Sequence, residues 1–278
     1  MKQDVNFYRK FGISQGRLTE SNELQRFPYE SWQDEFSNAS KLNISFIELL
    51  TERKYNKDNP VWSENGRQEI QNLCVSNNLE IYSICVDYII DHSLVNKEAS
   101  KTHVENIFIA ASELGCRIVI LPLLEESNLD ANNSEKFIDV LSYLSDKAEE
   151  YGLIICIESV LNSTDLVNFL DLLNKRNIRS VFDTGNRALE TSDLYSEIII
   201  LKNYISHVHI KDKDINGENV ILGTGLVNFS EIFSALSEIN YKGPLNFETT
   251  RGSNPLKTAA FHINFCNFFT ENAENTNV

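Results

Sequence analysis

Short apolar runs rich in β-branched residues recur along the chain, and each is followed by a polar or amphipathic stretch long enough for a helix. Runs of this length between polar segments are typical of buried parallel strands. The pattern therefore predicts eight strands. They are FGIS at 11–14, FIELL at 46–50, IYSICV at 81–86, RIVILPL at 117–123, LIICIE at 153–158, SVFD at 180–183, ISHVHI at 205–210 and PLNFE at 244–248.

The segments between these runs carry apolar residues at spacings of three and four. VENIFIAASELG before the fourth run and FIDVLSYLSDKAEEYG before the fifth are examples, and both end at glycine. This spacing predicts amphipathic helices that stop at the glycine.

Strand and helix thus alternate eight times, with no linker and no change of composition. Eight such units in a chain of this size favour an α/β fold with a single (β/α)8 TIM barrel. An open α/β sheet is the alternative, but the sequence lacks the GxGxxG and GxxxxGK[ST] loops common in that class. We expect residues 1–270 to form the barrel and residues 271–278 to form a disordered tail.

Composition narrows the possible partners. The 278 residues carry a formal net charge of -15, which disfavours binding to a nucleic-acid backbone. No stretch approaches the roughly 20 apolar residues of a membrane span, and the N-terminus lacks the apolar run of a signal peptide. We therefore expect a cytoplasmic protein that does not bind membranes, with its five scattered cysteines reduced.

In a barrel of this kind, functional side chains lie where the strands end. The fifth run ends in Glu158, the sixth in Asp183 and the eighth in Glu248, while the seventh carries His207 and His209 on one face. Three carboxylates and the imidazole of His209 would form an O3N set suited to Mn, Mg, Co or Zn. The remaining histidines are interpreted as hydrogen-bonded core or surface residues, namely His92, His103, His207 and His262.

Five motifs also carry a family resemblance. They are IES at 157–159, FDTGN at 182–186, HVHIKD at 207–212, LGTGLVNF at 222–229 and NFET at 246–249. With these motifs the chain resembles, over nearly its whole length, the xylose isomerase-like barrels of sugar isomerases and epimerases, and especially the tagatose 3-epimerase group. The resemblance implies a carbohydrate substrate and one divalent metal held by the residues already singled out, Glu158, Asp183, His209 and Glu248. It also implies a possible homodimer. The chain departs from that group at one position, because Asn186 stands where a histidine is common. The asparagine side chain can still donate a hydrogen bond, but it does not titrate near neutral pH as histidine does.

The same residues suggest a mechanism. A metal beside a substrate carbonyl would acidify the neighbouring C–H bond. We expect Glu158 and Glu248 to remove and return that proton through an enediolate. Return to the same carbon from the other face gives a 3-epimerase, and transfer to the neighbouring carbon gives an aldose-ketose isomerase. The alternative is that both glutamates only bind the metal and that the base lies elsewhere. Lys211 and Asn186 are candidates for substrate contact. Glu48, interpreted as ending the second run, is expected either to reach the substrate or to support the site from behind.

Other functions remain open at this stage. A dehydratase of a keto-inositol would share the enediolate and would need an additional general acid. A non-catalytic barrel could keep the ligands and bind a small molecule or a protein. A DNA-repair endonuclease is disfavoured, because Glu48 and Asp87 stand where that family has histidines. Arg17 is interpreted as an exposed loop residue in preference to an anion-binding one, and no phosphate site is assigned to LGTGLVNF.

Overall fold

The computed structural model of the chain describes residues 11–21 and 23–275, with side chains up to residue 270. Its sheet has eight parallel strands, each paired with the next along the chain, and the first also pairs with the last. The sheet is therefore closed, which confirms the (β/α)8 TIM barrel and excludes the open sheet. The strands are β1 (Phe11–Ser14), β2 (Phe46–Thr51), β3 (Glu80–Val86), β4 (Ile118–Pro122), β5 (Ile154–Glu158), β6 (Ile178–Asp183), β7 (Ile205–Ile210) and β8 (Leu245–Phe247).

Helices connect the strands and surround the barrel. They are α1 (Trp32–Lys41), α2 (Glu64–Asn77), α3 (Tyr88–Asp91), α4 (Glu98–Glu113), α5 (Glu135–Glu150), α6 (Ser163–Leu173), α7 (Thr184–Ala188), α8 (Leu194–Leu201), α9 (Phe229–Glu238) and α10 (Pro255–Asn275). Gly115 and Gly152 follow α4 and α5 with φ of +72° and +67°, the left-handed conformation expected of a residue that ends a helix.

The C-terminal boundary differs from the expectation. The last helix continues to Asn275, so the predicted limit at residue 270 falls inside it. Residues 276–278 of the predicted tail lie outside the described residues. Within the described part of the chain, no helix combines the length and the apolar character needed to cross a membrane.

The barrel interior is apolar on one side and polar on the other. A separate apolar cluster comes from strands β2 to β6, namely Leu50, Cys85, Ile118, Ile120, Cys156 and Val181. Opposite it, β1, β2, β3, β7 and β8 contribute buried polar residues, namely Ser14, Glu48, Ser83, His207, His209 and Asn246. Barrel interiors are usually filled by branched aliphatic side chains. A buried polar half must therefore satisfy its own hydrogen bonds, and it lies directly beneath the candidate site.

Candidate metal centre and active site

Four acidic or imidazole side chains converge at the carboxyl ends of the last four strands. Glu158 and Asp183 end β5 and β6, His209 is the penultimate residue of β7, and Glu248 directly follows β8. One potential ligand atom from each lies within 4.8 Å of the others. All four residues are buried, with exposures between 1% and 9%.

The Nδ1 atom of His209 lies at the middle of this cluster. It is 3.1 Å from Glu248 Oε2, 3.7 Å from Asp183 Oδ2 and 3.8 Å from Glu158 Oε2. Three of these atoms, His209 Nδ1, Asp183 Oδ2 and Glu248 Oε2, are buried without a well-aligned hydrogen bond to any described residue. A buried imidazole nitrogen that faces three carboxylates provides an O3N set, and such a set fits a divalent cation.

The ammonium group of Lys211 partly compensates the negative charge of the cluster. Its Nζ atom lies 2.8 Å from Asp183 Oδ2 and 2.8 Å from Glu248 Oε2. Burial lowers the pKa of Lys211, but the two carboxylates more than offset this and raise it, so the side chain is a fixed cation. Lys211 thus lies within the cluster, as a substrate-contacting residue would.

The two glutamates have opposite electrostatic environments. Burial and the nearby Asp183 carboxylate raise the pKa of Glu158 to about 8. Burial acts in the same direction on Glu248, but Lys211 and His209 outweigh it and lower the pKa of Glu248. Neighbouring carboxyl groups whose pKa values are pushed apart are typical of acid and base pairs.

Asn186 contacts two members of the cluster. Its side-chain Nδ2 donates a hydrogen bond to Glu158 Oε1 at 2.8 Å, and its backbone N–H donates to Asp183 Oδ1 at 2.7 Å. The second bond caps the N-terminus of the short helix α7. Asn186 therefore fixes one oxygen of each carboxylate and leaves the other oxygen directed towards His209.

The position of Glu48 corrects its assignment to a strand end. It is the third residue of the six-residue β2 and lies inside the barrel with 2% exposure. Its carboxylate is on the Nε2 side of the His209 ring, opposite the cluster. This placement favours the supporting role of Glu48 over substrate contact. The predicted strand end was wrong because β2 continues through three apolar or β-branched residues after Glu48.

Arg17 is buried, so its interpretation as an exposed loop residue is wrong. It is 2% exposed, and its Nη2 atom lies 3.6 Å from Glu248 Oε1. Gln25 accepts a hydrogen bond from Arg17 and donates one to Asp87 at 2.9 Å. The loop after β1 therefore reaches both Asp87 and Glu248, an arrangement that no local sequence pattern signalled.

Asp87 is an additional buried acid near the cluster. It directly follows β3, and burial raises its pKa to about 6, although hydrogen bonds from Gln25 and Cys85 oppose the shift. In the sequence, the position of Asp87 immediately after a predicted strand was the feature that could have indicated a functional role.

The LGTGLVNF loop surrounds a carboxylate of the chain itself. The backbone N–H groups of Gly223 and Gly225 donate to Asp212 Oδ2, both at 2.9 Å, and that of Val227 donates to Oδ1 at 3.1 Å. These three amides donate to Asp212 and are therefore not free to bind a phosphate through this loop.

The other histidines lie apart from the cluster. His92 and His103 each stack on Tyr88 with ring centroids 4.0 Å apart. His262 is fully buried against Thr249, and His207 lies inside the barrel next to Glu48. His92 and His262 are hydrogen-bonded, to the Tyr88 carbonyl and to Thr249, as expected, whereas His103 Nε2 is buried without a hydrogen bond to a described residue.

Known proteins similar to the chain include several sugar-converting enzymes. A ketose 3-epimerase from Arthrobacter globiformis is 31% identical over 118 residues, which are 40% of this chain and 39% of that protein. An L-ribulose-5-phosphate 3-epimerase from Escherichia coli is 24% identical over 234 residues, 79% of this chain and 82% of that protein. An inosose dehydratase from Bacillus anthracis is 29% identical over 135 residues, 39% of this chain and 44% of that protein. The matches to the first and third of these proteins thus span about two fifths of the relatives' lengths.

Solved structures of known proteins share the barrel fold of this chain. The solved structure of an L-ribulose 3-epimerase superposes with a TM-score of 0.77 at 17% identity, covering 96% of each chain. At that identity the likeness supports the fold alone. The family profile described as xylose isomerase-like TIM barrel matches residues 36–267, which is most of the chain and includes all four members of the cluster. The chain therefore belongs to the xylose isomerase-like TIM barrel family.

Proposed function

We propose that the chain is a divalent-metal-dependent isomerase or epimerase that acts on a sugar, a sugar phosphate or a related polyol. The observation that carries this proposal is the convergence of Glu158, Asp183, His209 and Glu248 in one buried cluster at the carboxyl ends of the strands. The named activities of the 3-epimerase relatives support the reaction class.

The four residues of the cluster would hold one cation, and Mn, Mg, Co and Zn all accept carboxylate and imidazole ligands. Such a cation stabilises the negative charge that develops on substrate oxygens when a neighbouring C–H bond is broken.

Glu158 and Glu248 move the proton in this proposal. One of the two accepts the proton from carbon and the other returns it. In the chain without a cation, Lys211 and His209 outweigh burial and lower the pKa of Glu248, which favours Glu248 as the acceptor. Return of a proton to the opposite face of the planar enediolate inverts the carbon, and return to the neighbouring carbon gives an isomerase.

Asn186 and Lys211 orient the reacting groups. Asn186 holds Glu158 in one rotamer through its 2.8 Å hydrogen bond, and it keeps a donor for a substrate hydroxyl. Lys211 presents a buried ammonium beside Asp183 and Glu248, where it can bind a substrate oxygen.

The test is metal analysis of the purified chain, followed by proton NMR of a panel of keto-sugars in deuterated water. We expect about one metal per chain and exchange of the hydrogen beside the carbonyl. Glu158→Gln and His209→Leu should lose both. Glu190→Gln, which changes an exposed carboxylate outside the cluster, is the matched control and should lose neither.

Absence of metal after addition of Mn, Co, Mg and Zn would contradict the proposal. Metal binding without hydrogen exchange on any sugar of the panel would instead favour the non-catalytic barrel.

Dehydration is a second candidate, and Asp87 is the observation in its favour. A dehydratase must protonate a leaving hydroxyl, and a buried acid with a pKa of about 6 is suited to that task. The match to an inosose dehydratase points to the same reaction. Mass spectrometry distinguishes the two, because epimerisation conserves the mass of the substrate and dehydration removes one water.

A further inference from the structure

The Glu48 carboxylate is saturated with hydrogen-bond donors inside the barrel. Oε1 accepts from Ser14 Oγ at 3.0 Å and from Asn246 Nδ2 at 2.9 Å. Oε2 accepts from Ser83 Oγ at 2.8 Å and lies 2.9 Å from His207 Nε2. His209 Nε2 lies between the two oxygens, 3.1 Å from Oε1 and 3.3 Å from Oε2. A carboxylate offers about four lone-pair sites, and five polar groups surround those of Glu48. They come from β1, β3, β7 and β8, namely Ser14, Ser83, His207, His209 and Asn246.

This saturation defines what the interior cluster can bind. Glu48, His207 and His209 approach one another closely enough to suggest a second cation site. However, Ser14, Ser83 and Asn246 already donate to the oxygens of Glu48, and the Nε2 atoms of both imidazoles lie within 3.1 Å of them, so no lone pair is left for a cation. The group is therefore a hydrogen-bonded network, with His207 Nε2 as a further neighbour 2.9 Å from Oε2.

The network determines which nitrogen of His209 carries a proton. Glu48 only accepts, so the adjacent His209 Nε2 must be the donor. The opposite nitrogen, Nδ1, is the atom that faces Glu158, Asp183 and Glu248. With Nε2 protonated, Nδ1 can offer its lone pair to a cation.

We propose that Glu48 is a positioning residue that keeps the proton of His209 on Nε2 and thereby presents Nδ1 as the metal ligand. This inference rests on the metal site of the proposed function. Partners of this kind behind a ligating histidine fix its tautomer and its ring orientation. Glu48 acts through His209 and touches neither metal nor substrate.

Glu48→Gln tests the role with little change of volume. One oxygen becomes an NH2 group. The Ser83 hydroxyl can turn to accept from it, but with the NH2 group on the Oε2 side a donor faces the N–H of His209 Nε2. In that orientation His209 relieves the conflict by moving its proton to Nδ1 or by turning its ring, and either change removes the ligand. Loss of such a partner typically weakens metal binding by about 10- to 100-fold.

The matched control is Glu35→Gln. Glu35 is also buried, with 1% exposure, and its carboxylate accepts from Gly16 N, Leu18 N and Thr19 Oγ1. Its substitution disturbs a buried, hydrogen-bonded carboxylate that does not touch His209. Titration calorimetry with Mn²⁺ should therefore show weaker binding for Glu48→Gln and affinity close to that of the unmodified chain for Glu35→Gln.

A second measurement needs no variant and so does not depend on the folding of Glu48→Gln. Nitrogen-15 NMR of the unmodified chain loaded with Zn²⁺ should show a slowly exchanging proton on His209 Nε2 and a metal-shifted Nδ1. A metal-shifted Nε2, or equal losses of Mn²⁺ affinity in the two variants, would overturn the inference. Because both readouts concern metal binding, they remain informative if the chain binds metal and fails to exchange sugar hydrogens, which would contradict only the proposed activity.

Discussion

Three buried glutamates differ in their electrostatics because their neighbours differ. Glu48 is surrounded by donors, which overcome the cost of its burial and lower its pKa. Glu158 faces Asp183 and has a raised pKa, whereas Glu248 faces Lys211 and has a lowered one. At the scale of the residue, therefore, the neighbouring charges and donors decide the role of each carboxylate.

Lys211→Met tests how far one ammonium group stabilises the metal-free cluster. Burial opposes ionisation of Asp183, but Lys211 lowers its pKa below the ordinary 3.8. A lowered pKa gives stability that is present above the ordinary value and is lost as the pH falls through the folded value. In chelator, urea denaturation should show a loss of about 3 to 5 kcal/mol at neutral pH, because two carboxylates lose their buried partner. The loss should shrink as the carboxyl groups become protonated.

The control for this prediction is Lys213→Met. It removes the same charge two residues away, from a side chain bonded to the Gly217 carbonyl. We expect a small loss that does not vary with pH. Equal losses for Lys211→Met at neutral and acidic pH would contradict the electrostatic explanation.

At the scale of the element, the residues that follow β7 contribute side chains both to the site and to the loop after it. Successive residues point to opposite sides of a strand. Lys211 accordingly enters the cluster, while Asp212 binds the amides of the loop that leads to α9. The short helix α7 works similarly, since Asp183 caps it through its own Oδ1 and directs Oδ2 to the cluster.

Asp212→Asn should loosen this loop. One carboxylate oxygen is replaced by an NH2 group, which places donors against donors at Gly223 and Gly225 or at Val227. We expect a loss of about 1 to 3 kcal/mol in the free energy of unfolding and faster amide exchange at these three residues. Asp214→Asn is the control, because Asp214 caps an exposed turn of the same connection. Unchanged exchange in Asp212→Asn would show that the loop does not depend on the carboxylate.

At the scale of the whole molecule, the barrel brings together the four residues of the cluster, which lie at the ends of four strands. A cation bound there favours the folded chain, because the unfolded chain does not assemble the four ligands. At a metal concentration 100 times the dissociation constant, the free energy of unfolding should rise by about 2.7 kcal/mol.

Denaturation with Mn²⁺ and with chelator checks this prediction. His209→Leu should lose the increment, and Glu190→Gln should keep it. An equal increment in His209→Leu would place the stabilising ion elsewhere.

Formation of a homodimer remains a prediction of the resemblance at this scale.

The sequence by itself determined the barrel and the identity of the cluster. Strand order follows from eight apolar runs at regular spacing, and parallel strands direct their carboxyl ends to one rim, so Glu158, Asp183 and Glu248 could be expected to meet. Local chemistry was sufficient because each residue lies at, or next to, the end of its own strand.

Only the tertiary structure decided the positions of Glu48, Arg17 and Asp87. Glu48 meets His209 across the barrel, 161 residues away in sequence, and Arg17 reaches Glu248 because β1 pairs with β8. Contacts between distant segments depend on closure of the sheet, on burial and on the path of a loop. No periodicity in the chain encodes these features, since the free energy of each contact arises only when the folded barrel excludes water from it.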